Sequence, residues 1–337
     1  MVSIKDIASA CNVSIATVSK ALNNHKDVSE ATKIRISEAA KKMGYLPNSQ
    51  ARALKTNRTY NLGVLFTERA QSGLTHNYFG VVLDSLKKEA EFNGYDITFI
   101  SQNIGDNRMT YYEHCIYRNV DGVVIVCAAD YEDVGITELL NSNVPTVMID
   151  YMADNTPSLV SDNVEGIATL VDYVYNKGHR KIAYIYGNPS RVSYLRLQSF
   201  KESLKRHKLD IRDEYLIEGD FHNPKLTESL TEKIMNYRDP PTCIFLPDDF
   251  SAIGALNTFE KLGLSVPDDI SVVGYDGIML SQVINPRLTT YKQDAVRLGS
   301  EAAHRLISLI KKEISPDEEP YCVKGCLLEG LSVKDLN

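Results

Sequence analysis

Apolar residues in the first 45 positions recur at the spacing of an α-helix. One face of a first helix is marked by four of them: Ile4, Ile7, Ala8 and Cys11. The run stops at Asn12, a residue type that tolerates the left-handed backbone conformation in which helices often end. The pattern therefore predicts a helix that ends near Cys11 and a tight turn directly after it.

A second helix is predicted to begin at Ser14, whose hydroxyl can cap the free backbone N–H groups of the first turn. Val18, Ala21 and Leu22 would form its apolar face. Two short helices joined by a tight turn constitute a helix-turn-helix. The side of the second helix that faces away from the first would carry small, polar and basic groups: Ala16, Ser19, Lys20 and Asn23, with Ile15 and Thr17 on the flanks.

A third helix is predicted between Ser29, which would cap it, and Gly44, which would stop it before Pro47. Its expected inner residues are Ile34, Ala39, Ala40 and Met43. Helical spacing alone fits a generic three-helix bundle as well as a DNA-binding head. The charge distribution favours the second interpretation.

Positive charge is concentrated in the first 60 residues, which contain ten Lys or Arg and four Asp or Glu, a balance of +6. The whole chain carries −7, so residues 61–337 carry −13. A basic head on an acidic body confines phosphate attraction to the head.

Residues 61–337 alternate short β-rich runs with longer helical runs, the pattern of parallel sheets covered by helices. Two successive series predict two doubly wound lobes with a ligand cleft between them, at the carboxyl ends of the strands. The predicted strands lie near 62–66, 96–100, 122–126, 146–150, 181–186, 215–218, 242–246 and 271–274. The predicted helices lie near 78–93, 108–118, 132–141, 163–177, 192–207, 224–236 and 249–262.

Composition is that of a globular protein, with 43% hydrophobic and 24% charged residues among 337. No apolar run reaches the roughly 20 residues needed to span a bilayer, and the chain starts with helix-forming sequence, so we expect a cytoplasmic protein. Cys322 and Cys326 lack a second pair or a His cluster, so no metal site is predicted. We find no P-loop, His-Glu metal motif or Gly-x-Ser-x-Gly elbow, and expect neither catalysis nor a cofactor.

The ordered motifs of the chain resemble the lactose-repressor/galactose-repressor (LacI/GalR) family of bacterial transcription regulators. In the head they are Ile4-Lys5-Asp6-Ile7-Ala8, Val13-Ser14-Ile15-Ala16-Thr17-Val18-Ser19, Leu22-Asn23, Val28-Ser29, Gly44-Tyr45 and Pro47-Asn48. In the body they include Asp162-Asn163, Gly178-His179-Arg180-Lys181-Ile182-Ala183, Gly274-Tyr275-Asp276 and Pro286-Arg287-Leu288-Thr289-Thr290. The resemblance implies an all-α helix-turn-helix head and an α/β periplasmic-binding-protein-like body.

The resemblance also implies residue roles in the head. Ile15, Ala16 and Lys20 would meet base edges in the major groove, and phosphates would be met by Ser14, Thr17, Ser19 and Asn23. Many members resemble this chain but carry Arg where Lys20 stands, and Lys offers a point contact rather than a rigid fork. Residues 48–55 match a hinge helix in which Leu54 would wedge into the minor groove, with Lys55 beside it.

The implied domains are a DNA-binding head at 1–46, a hinge and linker at 47–60, and an effector-binding and dimerisation body at 61–337. The lobes of the body would comprise roughly 61–160 plus 291–320, and 161–290 plus 321–337.

In the body, matching positions imply an effector site formed by Asp150, Arg196, Asp248 and Asp276, together with His76, Tyr78 and Phe79. Carboxylates that accept from vicinal hydroxyls and a donating Arg suit a polyol such as a sugar. We thus expect a homodimeric repressor of a pseudo-palindromic operator, controlled by a carbohydrate-like effector. The alternatives are a corepressor-dependent global regulator that uses a protein partner, and a cytoplasmic sugar-binding receptor.

Overall fold

The computed structural model describes residues 2–45, 58–67, 72–128, 132–317 and 319–337. The chain divides into two compact units, Met1–Thr59 and Tyr60–Asn337, called the head and the body below. The expected hinge helix at 48–55, with Leu54 and Lys55, lies outside the described residues. None of the helices in the described part of the chain is long and apolar enough to cross a membrane.

The head contains the three predicted helices, α1 (Ile4–Ala10), α2 (Ile15–Leu22) and α3 (Glu30–Lys42). Asn12 has the predicted left-handed conformation, with φ of +49°, and the following N–H of Val13 donates to the Ala8 carbonyl at 3.0 Å. Ser14 and Ser29 cap α2 and α3 as expected. The local turn and capping chemistry therefore fixes the order and spacing of these helices.

The head core is built around Ile7, Val18 and Ile36, each without solvent exposure. The prediction that Ile34 faces inward was wrong, because its side chain is 57% exposed. Ile36 and Ala40 lie four residues apart on the inner face of α3, whereas Ile34 is about 200° around the helix from Ile36.

Within its described residues, the body contains two six-stranded sheets and a small hairpin. The first-lobe sheet has the order β13-β7-β6-β5-β1-β2, and the second-lobe sheet has the order β14-β12-β11-β10-β8-β9 in our numbering. The strands are β1 (Asn61–Phe66), β2 (Asp96–Phe99), β3 (Asn103–Ile104), β4 (Asn107–Arg108), β5 (Gly122–Cys127), β6 (Thr146–Ile149), β7 (Ser158–Ser161), β8 (Ile182–Tyr186), β9 (Leu216–Glu218), β10 (Cys243–Phe245), β11 (Ser271–Asp276), β12 (Thr289–Lys292), β13 (Tyr321–Val323) and β14 (Cys326–Leu328).

Helices cover both faces of these sheets. They are α4 (Asn77–Phe92), α5 (Tyr111–Arg118), α6 (Val134–Leu140), α7 (Asn163–Asn176), α8 (Arg191–Arg206), α9 (Pro224–Met235), α10 (Ala252–Leu262), α11 (Met279–Val283) and α12 (Ala295–Lys311). All pairings in the two large sheets are parallel except that of β12 with β14. Because helices cover both faces, central strands such as β6 are buried along their whole length and read as continuous apolar runs.

The expected lobe boundaries near 290 and 320 need correction. β12 (Thr289–Lys292) lies wholly in the second-lobe sheet, and β13 (Tyr321–Val323) pairs with β7 in the first-lobe sheet. The chain thus crosses between the lobes near 161–163, 292–295 and 323–326. The expected helix at 108–118 was also too long, because Arg108 belongs to the hairpin strand β4 and α5 begins at Tyr111.

Helix α12 was not among the predicted elements, yet it packs closely against α4 in the first lobe. A methyl group on Gly299 would lie 2.1 Å from the carbonyl oxygen of Val82. The absence of a side chain at this position lets the two helices approach, so that Leu298, Ala302 and Leu306 reach the first-lobe core.

We expect Gly299→Ala to lower the free energy of unfolding of the body by about 1–3 kcal/mol, because the methyl group has no room between α4 and α12. Urea denaturation followed by circular dichroism measures the change. His304→Ala, at an exposed position of the same helix, should alter it by less than about 0.5 kcal/mol. Stabilisation by Gly299→Ala, the usual effect of helix propensity, would contradict this packing.

Candidate functional site

A cavity of about 620 Å³ lies between the two lobes of the body. Its lining comes from segments that follow the carboxyl ends of β6, β8, β9, β10, β11 and β12, where parallel sheets place their ligand sites. All seven sequence-predicted effector positions line it: His76, Tyr78, Phe79, Asp150, Arg196, Asp248 and Asp276. The fold therefore brings together residues that are 200 positions apart in the chain, between His76 and Asp276.

Arg196 lies on α8. Of the described residues that line the cavity, it is the one positively charged side chain that is almost completely buried, with 4% exposure. Its guanidinium carbon lies 3.6 Å from the centre of the Tyr275 ring. Nε donates to Oδ1 of Asn163 at 2.7 Å, and Nη1 donates to the Pro247 carbonyl at 3.3 Å. An aromatic ring and two acceptors thus fix the plane of the guanidinium, and its remaining N–H groups are available to a ligand.

Two of the carboxylates are anchored by neighbouring loops. Asp150 accepts from the N–H of Ser161 at 2.7 Å and from its hydroxyl at 3.2 Å. Asp248 accepts from the N–H of His222 and from the N–H and hydroxyl of Ser251. Burial raises the pKa of Asp150, against the opposing effects of the Ser161 N–H and Arg196. Each carboxylate is held in one orientation and keeps acceptor capacity, since an ionised carboxylate has about four lone-pair sites.

Asp276 is the last residue of β11 and has a positive φ of +103°. Its Oδ1 accepts from Nε2 of Gln293 at 2.7 Å. Burial raises the pKa of Asp276 to about 7, although the positive charge of Arg196 opposes the rise. A hydrogen bond from a ligand hydroxyl would favour the ionised carboxylate.

Two buried polar atoms in the lining have no hydrogen-bond partner among the described residues. They are Oη of Tyr78 and Oε1 of Gln293, whose side chains are 6% and 7% exposed. Buried polar groups are costly unless they are paired, by about 1–3 kcal/mol each. The Tyr78 hydroxyl can therefore donate to or accept from a polar group of a ligand or of water, and the Gln293 carbonyl oxygen can accept from one.

The imidazoles of His76 and His222 stack on each other in the cavity lining, with ring centres 4.3 Å apart and planes inclined by 24°. Phe79 contacts the edge of His76 at 4.8 Å, and Phe250 stacks on the other face of His222 at 3.9 Å. His76 also accepts from the Phe79 N–H at the start of α4. The aromatic side chains expected at this end of the site are therefore packed in a column rather than spread as a flat platform.

Sequence reasoning missed several lining residues. Gln293 follows β12, and Phe221 and His222 follow β9, so each stands after the carboxyl end of a strand. β12 was not predicted as a strand, and therefore its end was not searched. Asn163 stood in a quoted motif without a role, because nothing in the sequence indicates that it would hold Arg196.

In the head, the predicted DNA-contact residues form one side of α2 and the turn before it. Ser14, Ile15, Ala16, Lys20 and Asn23 are exposed, and Ile15 keeps 45% of its surface accessible although it is apolar. Thr17 and Ser19 are half-buried. Leu54 and Lys55 lie outside the described residues.

Several polar groups on this side of α2 are engaged locally. Lys20 pairs with Asp27, and Asn23 donates to the Ser19 carbonyl at 2.7 Å. Ser14 accepts from the Thr17 N–H at 3.0 Å. The hydrogen bond from Lys20 holds the pKa of Asp27 below its usual value. Both side chains of the Lys20–Asp27 pair are about half exposed, so the pair is weak and Lys20 can exchange it for another partner.

Comparisons with known proteins give matches for both the head and the body. Residues 3–48 match the family model "Bacterial regulatory proteins, lacI family", and residues 171–333 match "Periplasmic binding protein-like domain". The probable HTH-type transcriptional repressor ExuR of Bacillus subtilis is 33% identical over 315 residues, which cover 93% of this chain and 92% of that protein. The HTH-type transcriptional repressor PurR of Vibrio vulnificus is 31% identical over the full length of both chains.

Among solved structures, the Lac repressor dimer bound to operator and the anti-inducer ONPF superposes with a TM-score of 0.83. It is 26% identical and the match covers 99% of both chains. The similarity thus extends over head and body together, in one order along the chain.

Proposed function

The chain belongs to the lacI family of bacterial regulatory proteins and is a DNA-binding transcriptional repressor rather than an enzyme; from this premise we propose that it binds a pseudo-palindromic operator as a homodimer and responds to a neutral, sugar-like effector in the interlobe cavity. Operator binding requires a protein in the cytoplasm, and this location is part of the proposal.

The DNA-binding half of the proposal assigns Ile15, Ala16 and Lys20 to base edges in the major groove. Ser14, Thr17, Ser19 and Asn23 would contact phosphates, and Leu54 and Lys55 would act at the minor groove. Exposure of one side of α2 on a basic head supports this assignment. Dimerisation is supported by the operator-bound dimer of the similar Lac repressor, because two-fold symmetry pairs two heads with two half-sites.

The effector half rests on one observation, the cavity in which Arg196, three anchored carboxylates and two unpartnered buried polar atoms face the same space. A polyol can donate to the carboxylates and to Gln293 Oε1, and can accept from Arg196 and Tyr78 Oη. An anionic effector would meet Asp150, Asp248 and Asp276 with a single buried cation to offset them. A small ligand with several hydroxyl groups and no negative charge fits best.

Control of DNA binding requires that the effector favours one arrangement of the lobes over another. The cavity lining comes from both lobes, which are connected by three crossings of the chain. A ligand that contacts both lobes therefore has different contacts when the lobes move apart. We infer that lobe closure is the motion that the effector controls.

Lys20→Ala should weaken binding to the selected operator by about 1–3 kcal/mol and relax the preference for one base pair in each half-site. Fluorescence anisotropy over a series of salt concentrations, with operator and scrambled duplexes, measures both effects. The operator is obtained beforehand by selection from random duplexes with the wild-type protein.

Lys42→Ala is the matched control, because it removes the same charge from an exposed position at the end of α3. It should weaken binding to the two duplexes equally and leave the base preference intact. Identical behaviour of the two variants would refute the assignment of Lys20 to a base edge.

Arg196→Lys should lower affinity for the effector by about ten- to a hundredfold, because Lys cannot reproduce the fixed fork of donors above Tyr275. Isothermal titration calorimetry with a panel of neutral monosaccharides, sugar alcohols and hexuronates measures the loss. The neutral compounds are expected to bind and the hexuronates are not.

Arg206→Lys, on the exposed side of the same helix, is the control and should bind like the wild type. Tight binding of a hexuronate, or equal affinities of the Arg196 and Arg206 variants, would count against a neutral polyol held by Arg196.

A further inference from the structure

The interlobe cavity is larger than a single sugar ring requires. It has a volume of about 620 Å³. A hexose has about twelve non-hydrogen atoms, and even if each took up the roughly 30 Å³ that a water molecule occupies in the liquid, the sugar would fill only about 360 Å³. A single ring therefore leaves at least roughly two fifths of the cavity unfilled.

The polar groups described above lie at the inner end of the cavity, which we call the base. The base is formed by Tyr78, Arg196, Asp248, Asp276 and Gln293. Asp276 is hydrogen-bonded to Gln293, and the other four side chains are almost completely buried. This end of the cavity is therefore shielded from solvent and supplies donors and acceptors for one polyol ring.

The opposite end of the lining is open to solvent, and we call it the mouth. Its residues come from both lobes: Glu132 and Tyr151 from the first, and Pro189, Ser190, Arg191 and Val192 from the second. Tyr151 and Val192 are half-buried, and the other four are exposed. Exposure thus increases from the base to the mouth.

Two segments, one from each lobe, run from the base to the mouth. In the second lobe, Val192 lies one turn before Arg196 on the same face of α8, roughly 6 Å along the helix axis. In the first lobe, β6 is followed by Asp150, Tyr151 and then the exposed Met152. The outer ends of the two segments meet, because Nη2 of Arg191 donates to Sδ of Met152 at 3.0 Å. The mouth therefore continues the space of the base between the two lobes.

The aromatic end of the cavity offers less room. His76 and His222 stack on each other with ring centres 4.3 Å apart, and Phe79 contacts the edge of His76 at 4.8 Å. Rings in mutual contact leave no layer between them for a sugar. The volume that a ring in the base leaves unfilled thus lies towards the mouth.

We propose that the mouth is a second sugar subsite and that the effector is a neutral disaccharide, with one ring in the base and the other between Tyr151 and Arg191. This inference rests on the proposed sugar-like effector and specifies its size.

The mouth has the two kinds of surface that a sugar ring contacts. The ring of Tyr151 and the side chains of Pro189 and Val192 supply apolar contact for the C–H groups of the sugar. Glu132 can accept from hydroxyl groups on one side, and Ser190 and Arg191 can donate to them from the other. The second ring is therefore contacted by both lobes, like the first.

Arg191 is held less firmly than Arg196. The guanidinium of Arg196 is fixed by the ring of Tyr275 and by two oxygen acceptors, whereas Arg191 donates to a thioether sulfur, which is a weak acceptor. Arg191 can exchange this contact for a ligand hydroxyl without leaving a strong acceptor unpaired. We therefore expect the base to select the kind of sugar and the mouth to add affinity for a second ring.

Isothermal titration calorimetry of the full chain tests the second subsite with disaccharides and with the monosaccharides from which they are built. The disaccharides are maltose, cellobiose, lactose, melibiose and sucrose, and the monosaccharides are glucose, galactose and fructose. At least one disaccharide should bind at least about tenfold more tightly than each of its component monosaccharides, because the second ring adds about eleven non-hydrogen atoms in contact with the protein.

Variants at the two ends of the cavity separate the subsites. Arg191→Ala and Tyr151→Ala should each lower the affinity for that disaccharide by about tenfold and change the affinity for its monosaccharides by less than about twofold, because they remove contacts at the mouth. Arg196→Lys should lower the affinity for both kinds of sugar. Lys205→Ala removes a positive charge from the exposed last turn of α8, roughly 21 Å along the axis from Arg191, and should bind both like the wild type.

Two results would overturn the second subsite and leave a sugar effector in place. One is a panel in which no disaccharide binds more tightly than its monosaccharides, and the other is an equal loss of both kinds of sugar in the mouth variants. Binding of none of these sugars would instead count against the proposed effector, and the subsite would fall with it. Circular dichroism spectra and unfolding midpoints confirm that each variant is folded before the comparison is made.

Discussion

The body of this protein is organised around one buried positive charge. Arg196 lies almost without solvent contact at the base of the interlobe cavity, and a buried cation is tolerated only where the protein replaces water with ordered acceptors and opposite charge. Tyr275 supplies a ring face, Asn163 and Pro247 supply acceptors, and the surrounding carboxylates supply negative charge. The groups that surround the guanidinium come from the ends of five different strands. Their convergence therefore depends on the parallel topology of both sheets.

The same arrangement is the basis of the proposal that the cavity binds a ligand rich in hydroxyl groups. The carboxylates that make the buried cation tolerable also make the space hostile to an anion, and each of them is already oriented by loop N–H or side-chain donors. Because these carboxylates are already oriented, a ligand can form hydrogen bonds with them without rearranging the site. Among the described residues of the lining, Tyr78 Oη and Gln293 Oε1 are buried polar atoms without a hydrogen-bond partner, and a ligand could supply one to each.

The sequence was sufficient for the order and the caps of the head helices, although not for the inner face of α3, where Ile34 was wrongly placed. Helical periodicity, serine caps and the turn at Asn12 are local signals, and the three head helices follow from them. Asp150 and Asp276 were placed by their match to the family's effector positions, and Asp150 also stands at the end of a predicted strand. Elements whose role depends on distant partners were missed. β13 is short and pairs with β7, which lies 162 positions earlier in the chain (Tyr321 with Leu159), and α12 is positioned by close contact with α4 at Gly299.

The column of rings shows a different limit of sequence reasoning. His76 was expected to contact a ligand, but no local signal indicates that its face is occupied by His222, which stands 146 positions later in the other lobe. Contacts of this kind are set by how the two lobes meet, and no local sequence pattern encodes that. Under the proposed function, such contacts contribute to the free-energy difference between lobe arrangements that an effector has to overcome.

The central claim is that a ligand in the interlobe cavity changes the affinity of the head for DNA. The most direct test is the Kd of the full chain for its operator, measured by fluorescence anisotropy at one salt concentration, with and without a saturating amount of the sugar that binds in calorimetry. We predict a change of at least about fivefold in the wild type, as expected for a coupling free energy of about 1–3 kcal/mol, and a curve for the Arg196→Lys variant that is displaced to higher sugar concentration by its loss of sugar affinity. An operator Kd that stays the same when the cavity is occupied would contradict the account.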